Sequence, residues 1–203
     1  FHAISAFCNA GFDLFGNYDS LVLRNQDALL LLVTAALIIL GGLGFVVLDD
    51  LVYKRRWSKF SLQTKVVLVS TFALIVAGTA AIYGLEFSNM KTLGTLPPGM
   101  QFLNSFMMSV STRTAGFNSF DLGVARDITL FVIILLMFVG ASPASTGGGI
   151  KTTTLAVIIL TTVAVLRGRK QVVIFGRTLE PALQNKATAV FALTIIWITC
   201  AFL

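Results

Sequence analysis

Two short turns hold the residues best suited to chemistry in this chain. Asn9-Ala10-Gly11-Phe12 and Thr114-Ala115-Gly116-Phe117 share the pattern x-Ala-Gly-Phe and stand 105 residues apart. Phe1 and Phe106, and Phe15 and Phe120, fall in the same register. A dehydrated cation needs a ring of oxygens in place of its water shell, and backbone carbonyls can supply it. Such a strand needs unusual backbone angles, which glycine tolerates. Thr114 adds a hydroxyl oxygen. Acidic residues are scarce in the apolar segments, so carbonyls are the expected ligands of a cation. Alone, each pattern reads as an ordinary tight turn. Its repetition in register favours a duplicated binding element.

The run at 140–154, GASPASTGGGIKTTT, is the second chemical feature. It separates two uncharged apolar halves, 128–139 and 155–166, of 12 residues each. Irregular backbone facing lipid leaves polar groups unpaired, so such a break survives only in protein or beside a water-filled cavity. An ionisable residue at that depth, here Lys151, marks a candidate functional site. Gly140, Ser142, Pro143, Thr146, Gly147, Gly148, Gly149 and Lys151 form the candidate loop. Its glycines permit several backbone states, and its hydroxyls can solvate loose backbone. The segment therefore reads as a mobile plug. Lys151 either repels a cation and helps to hold a path shut, or pairs with a carboxylate or helix-end carbonyls in a structural role.

The rest of the chain has to hold these turns in a bilayer. Of 203 residues, 56% are hydrophobic and 12% charged, with mean hydropathy +0.88. Soluble domains carry about 25% charged residues. Residues 28–48 and 66–85 are uncharged and long enough to cross, at about 1.5 Å per residue. The broken segment 128–166 and the run 187–203 complete the spans. Residues 100–111 are helix-compatible but too short, and read as a re-entrant helix. Gly41, Gly42 and Gly44 suit close helix contact in a membrane. Of fifteen Lys and Arg, five lie within 49–65 and five within 167–186. The positive-inside rule places both loops in the cytoplasm and both x-Ala-Gly-Phe turns on the opposite side. The basic loops suit either anionic lipid or a cytosolic partner. Residue 1 is not Met and the last apolar run has no polar flank, so a central part of a longer protein is expected.

Several classes are disfavoured. GGGIKTTT lacks the Gly-Lys-[Ser/Thr] junction of a phosphate-binding loop, because Ile150 separates Gly149 from Lys151. Cys8, Cys200 and the single His2 offer neither a disulfide framework nor metal-ligand spacing. No carboxylate pair or nucleophile constellation points to an enzyme, and none is expected; nor is a nucleic-acid partner. The fold class expected is an all-α membrane protein. Each x-Ala-Gly-Phe copy follows a short helix and precedes a long span, which is the helix–pore helix–helix (M1–P–M2) plan of a potassium-channel pore. A secondary carrier with a broken-helix cation or substrate site is the alternative.

With FHAISAFCNAGFD, STRTAGFNSFD and GASPASTGGGIKTTT, the chain resembles the superfamily of KtrB, TrkH and HKT potassium transporters. It looks most similar to the KtrB group, the membrane pore subunits of bacterial Ktr systems. The resemblance implies four pseudo-repeats around one pore, re-entrant pore helices and a broken M2 helix. Residues 1–65 then match the end of the second repeat, 66–177 the third with its intramembrane loop at 140–154, and 178–203 the first helix of the fourth. The filter role falls on Asn9, Ala10, Gly11, Phe12, Thr114, Ala115, Gly116 and Phe117, holding K+, and the gate on the 140–154 loop. Further implications are potassium uptake in a bacterial plasma membrane, Na+ as a candidate activator, and a homodimer. A cytosolic RCK-type ring that resembles KtrA and binds ATP or ADP is the implied partner.

Overall fold

The computed structural model describes residues 1–16, 19–168 and 171–202. Asn17 and Tyr18, Arg169 and Lys170 of the second basic loop, and Leu203 lie outside the described residues. The helices are α1 (His2–Phe7), α2 (Ala28–Leu43), α3 (Phe45–Tyr53), α4 (Leu62–Glu86), α5 (Pro98–Ser111), α6 (Asp127–Phe138), α7 (Thr152–Leu166) and α8 (Pro181–Phe202). Local signals set their starts. The Asp27 carboxylate accepts the Leu30 N–H at 3.0 Å and the Ser61 hydroxyl accepts the Thr64 N–H at 3.2 Å, each satisfying a donor of a helix's open first turn. Pro98 opens α5, where its missing N–H has no cost.

α5 is wedged between α4 and α2, and α4 also packs on α6 and α7. The α4 backbone comes close at Gly78, where a Cβ would crowd the Ser109 side chain of α5 and Leu136 of α6. The Ser109 hydroxyl donates to the Ile75 carbonyl at 2.9 Å, joining the same two helices. One core joins α1, α2 and α5 through Ala6, Leu31, Ala35, Met107 and Phe117. This is the expected pore-repeat plan: a long helix, a short helix and a turn, then a broken helix. α8 packs mainly on α7, with Phe191 against Phe138 of α6, and has most of its surface outward.

Among the described residues, Leu62–Glu86 and Pro181–Cys200 are long and apolar enough to cross a membrane as single helices. The segment 28–48, expected as one span, is instead bent by 98° between α2 and α3. Gly44, at φ +86° and ψ 150°, leaves helical geometry there, and its backbone lies against Pro143 and Ala144. A two-residue ladder, β1 (Val173–Ile174) with β2 (Arg177–Thr178), joins α7 to α8. Positive φ at Phe175 and Gly176 gives the tight hairpin turn that matches strand twist.

Glu86 ends α4 and is fully buried. Its carboxylate accepts the hydroxyls of Thr92 (2.5 Å) and Thr129 (2.6 Å), the Asn89 side-chain amide (2.7 Å) and the Arg126 N–H (2.9 Å). Four donors satisfy an anion that burial alone would disfavour. They tie the end of α4 to the start of α6.

Candidate functional site

The two x-Ala-Gly-Phe turns follow one backbone path. The first and third residues of each are left-handed: Asn9 at φ +50° and Gly11 at +71°, Thr114 at +79° and Gly116 at +87°. Left-handed backbone is rare for residues with a Cβ, so its recurrence at Asn9 and Thr114 is a shared constraint. A pore-helix serine anchors each turn. Ser5 donates to the Phe12 carbonyl at 2.8 Å, and Ser111 to the Phe117 carbonyl at 2.5 Å. The Ala10 and Ala115 N–H groups return to the carbonyls of the same serines, each at 2.9 Å. The serines stand 106 residues apart, one more than the turns.

The turns touch backbone to backbone. A Cβ built on Gly11 would collide with the Ala115 carbonyl oxygen and lie 3.0 Å from the Gly116 Cα. One built on Gly116 would lie 3.4 Å from the Gly11 Cα. A cavity of about 410 Å³ borders both, lined by Ala10, Ser111, Thr114, Gly116, Asn118 and Met137 among others. Arg113 is buried, with its Nε free of protein partners among the described residues. It packs inside the fold.

The 140–154 run sits against these turns. Residues 140–151 are non-helical, whereas 152–154, expected in the loop, form the first turn of α7. The loop is well bonded, in contrast to the mobile plug expected from composition. Its two ends are bridged, with the Gly140 N–H donating to the Ile150 carbonyl at 3.0 Å. Gly140 is required there, because a Cβ would collide with the Gly148 carbonyl. The loop's middle rests on the glycine-rich end of α2. Ser142 N–H donates to the Gly42 carbonyl at 3.1 Å, Thr146 N–H to the Gly41 carbonyl at 3.3 Å, and Phe45 N–H to the Ala144 carbonyl at 2.9 Å. Its tip meets both turns. Asn9 Nδ2 donates to the Thr146 hydroxyl at 2.8 Å, and that hydroxyl to the Phe7 carbonyl at 3.0 Å. A Cβ on Gly147 would lie 2.6 Å from Thr114 Oγ1. Lys151 Nζ donates to the Gly147 carbonyl at 2.8 Å, so its ammonium holds the loop's own backbone. Pro143 and Gly149 complete the segment, Gly149 with φ +71°.

The structure brings these residues together, and the seat of the loop is not visible in the sequence. Gly41, Gly42 and Gly44 read as helix-contact glycines; Gly41 does meet α1, where a Cβ would collide with the Phe7 carbonyl, and the three also receive the loop. Ser5 and Ser111 were also missed, although a serine four residues before Asn9 and one three before Thr114 was the visible signal.

A family described as TrkH, cation transport protein, matches residues 1–203. The chain belongs to the TrkH family. This TrkH-family chain is 45% identical over 190 residues to the Ktr system potassium uptake protein B of Bacillus subtilis (strain 168), covering 94% of the chain and 42% of that protein. It is 42% identical over 205 residues to the protein of the same name from Vibrio alginolyticus, covering 99% and 44%. It is 40% identical over 197 residues to the potassium/sodium uptake protein NtpJ of Enterococcus hirae, covering 96% and 43%. The crystal structure of the potassium transporter TrkH from Vibrio parahaemolyticus is similar in fold, with TM-score 0.72 and 16% identity over 98% of this chain and 43% of that one. The chain spans less than half the length of these relatives.

Proposed function

We propose that this chain forms the central part of a potassium-uptake subunit, in which K+ passes between carbonyl-bearing turns under the control of the 140–154 loop. One observation carries the reading: two turns of duplicated sequence and duplicated left-handed backbone touch at Gly11 and Gly116, with the loop tip against both. In this reading the carbonyls of residues 9–12 and 114–117 replace part of the ion's water shell, and two further turns come from outside this chain. Residues 1–65, 66–177 and 178–203 are the end of a second repeat, a third repeat and the start of a fourth. Lys151 keeps the loop in place by holding the Gly147 carbonyl.

The names of the relatives support K+ as the transported ion, and one of them names sodium beside potassium; Na+ is placed here as an activator. The name "Ktr system" supports a further subunit. The partner proposed is a cytosolic RCK-type ring that binds ATP or ADP, set against a homodimer of the membrane subunit in a bacterial plasma membrane. Loops 49–65 and 167–186 face the cytoplasm in this arrangement.

The test is cation flux through the full-length subunit reconstituted in liposomes. Potassium flux that exceeds sodium flux and runs without fixed coupling is expected. Flux locked to a fixed stoichiometry would favour a carrier, and equal potassium and sodium flux would overturn the filter. Sidedness is read with membrane-impermeant thiol reagents in intact cells. Ser58→Cys should resist them and Asn89→Cys should react; the reverse overturns the topology.

A further inference from the structure

α3 leaves α2 at 98°, so when α2 crosses the bilayer, α3 runs close to the membrane plane. α4 fixes its level. Val47 packs on Val67, and the Asp50 carboxylate accepts the Ser61 N–H at 3.0 Å and the Thr64 hydroxyl at 2.6 Å. The end of α3 therefore lies beside the first turn of α4. With 25 residues α4 is about 37 Å long, several Å more than a hydrocarbon core of about 30 Å. Its first turn thus stands among headgroups.

The side of α3 turned away from α4 is apolar apart from the exposed Asp49: Phe45 is 74% exposed, Val52 58% and Tyr53 79%. Lys54, Arg55, Arg56, Trp57 and Lys59 follow directly, all exposed. Among the described residues Lys54 has an ion pair, with Asp50, and no pair engages Arg55, Arg56 or Lys59. An apolar helix face ending in Tyr, Trp and a run of bases suits the boundary between acyl chains and anionic headgroups.

We propose that residues 45–59 lie in the cytoplasmic headgroup layer and bind anionic phospholipid. Phe45 and Val52 enter the acyl region, Tyr53 and Trp57 sit at headgroup depth, and Arg55, Arg56 and Lys59 meet the phosphates. An acidic protein would match the bases but would leave the exposed apolar face without a counterpart. α3 begins on the loop, through the bond from the Phe45 N–H to the Ala144 carbonyl, so lipid held here bears on the loop. The proposal rests on the sidedness and gating read above.

The test uses the full-length subunit with other cysteines replaced and a fluorophore on Ser58→Cys. It is reconstituted in phosphatidylcholine vesicles containing equal mole fractions of brominated phosphatidylglycerol or brominated phosphatidylcholine. Stronger quenching by the anionic bromolipid is expected. Neutralising Arg55, Arg56 and Lys59 to Gln should lower the apparent enrichment about fivefold per base removed. Equal quenching by both lipids would overturn the anionic preference. An unquenched probe would place the corner in water, facing a soluble partner, and overturn the site. Potassium flux and thiol accessibility of Ser58→Cys, measured on the same preparations, separate failure of this proposal from failure of the transport reading.

Discussion

The two x-Ala-Gly-Phe turns share sequence and backbone but not surroundings. The turn at 114–117 is enclosed: Ala115 is fully buried and Phe117 is 1% exposed, within the core of α1, α2 and α5. The turn at 9–12 is open, with Phe12 69% exposed. Helices α4 to α7 lie on one side of the pair, and α1 and α2 on the other. Phe117 uses α1 and α2 as its wall; Phe12 has no equivalent wall among the described residues. One motif is thus held in two ways. Backbone angle and a serine of the preceding helix set its shape, and the elements packed against it set its burial.

The largest effects that can break this comparison are expected at the glycines. In the full-length subunit, Gly11→Ser and Gly116→Ser each force a Cβ onto left-handed backbone, at about 1–2 kcal/mol, or roughly tenfold in an equilibrium. Gly11→Ser also strikes the Ala115 carbonyl. Potassium uptake affinity and discrimination against sodium should fall in both, and further in Gly11→Ser. The opposite order, measured by uptake kinetics, would show that the turns do not touch in the working subunit.

Loop changes come next, because the loop contacts both turns. Deletion of 147–149 should raise ion flux, and Lys151→Gln should do so by a smaller factor, since it removes the ammonium from the Gly147 carbonyl. Unchanged or lower flux from an assembled variant would make the segment structural. Ser111→Ala and Ser5→Ala then compare the two anchors. Each loses a hydrogen bond of about 1 kcal/mol, with Ser111→Ala the more damaging because the Phe117 carbonyl is left deeper. Thermal unfolding in detergent reads that order, and equal shifts would count against it.

The smallest effect lies away from the turns. Lys54, the Thr64 hydroxyl and the Ser61 N–H together hold Asp50 well below the usual carboxylate range. A lowered folded-state pKa gives stability that is present above the unfolded value near 3.8 and lost as pH falls through the folded one. Asp50→Asn should therefore lower the melting temperature at neutral pH by an amount that shrinks progressively as pH falls below about 3.8. A difference that varied around neutral pH would implicate another group.

Much of this was legible because membrane spans advertise themselves by uncharged length and the turns by repetition. The long helix at 62–86, the short one at 98–111 and the break after 138 were all readable in that way. The kink at Gly44 was not, because 28–48 stays apolar across it; the cause is a backbone contact with Pro143, a hundred residues away. The order of the loop was hidden for the same reason. Composition reports a glycine-rich segment, while Gly41, Gly42 and Ile150 supply the carbonyls that fix it. Glu86 read as the charge that closes a span. Its four donors come from two stretches of chain some forty residues apart, which no local pattern connects.

That acid also bears on biogenesis. Every group that satisfies Glu86 is made after it: Asn89 and Thr92 immediately, Arg126 and Thr129 some forty residues later. While the chain is still emerging from the ribosome, the carboxylate has only half of its donors. It must wait at the aqueous edge until the start of α6 arrives. Full seating of α4 is therefore tied to synthesis of α5, the turn after it and the start of α6, and these elements are expected to seat together.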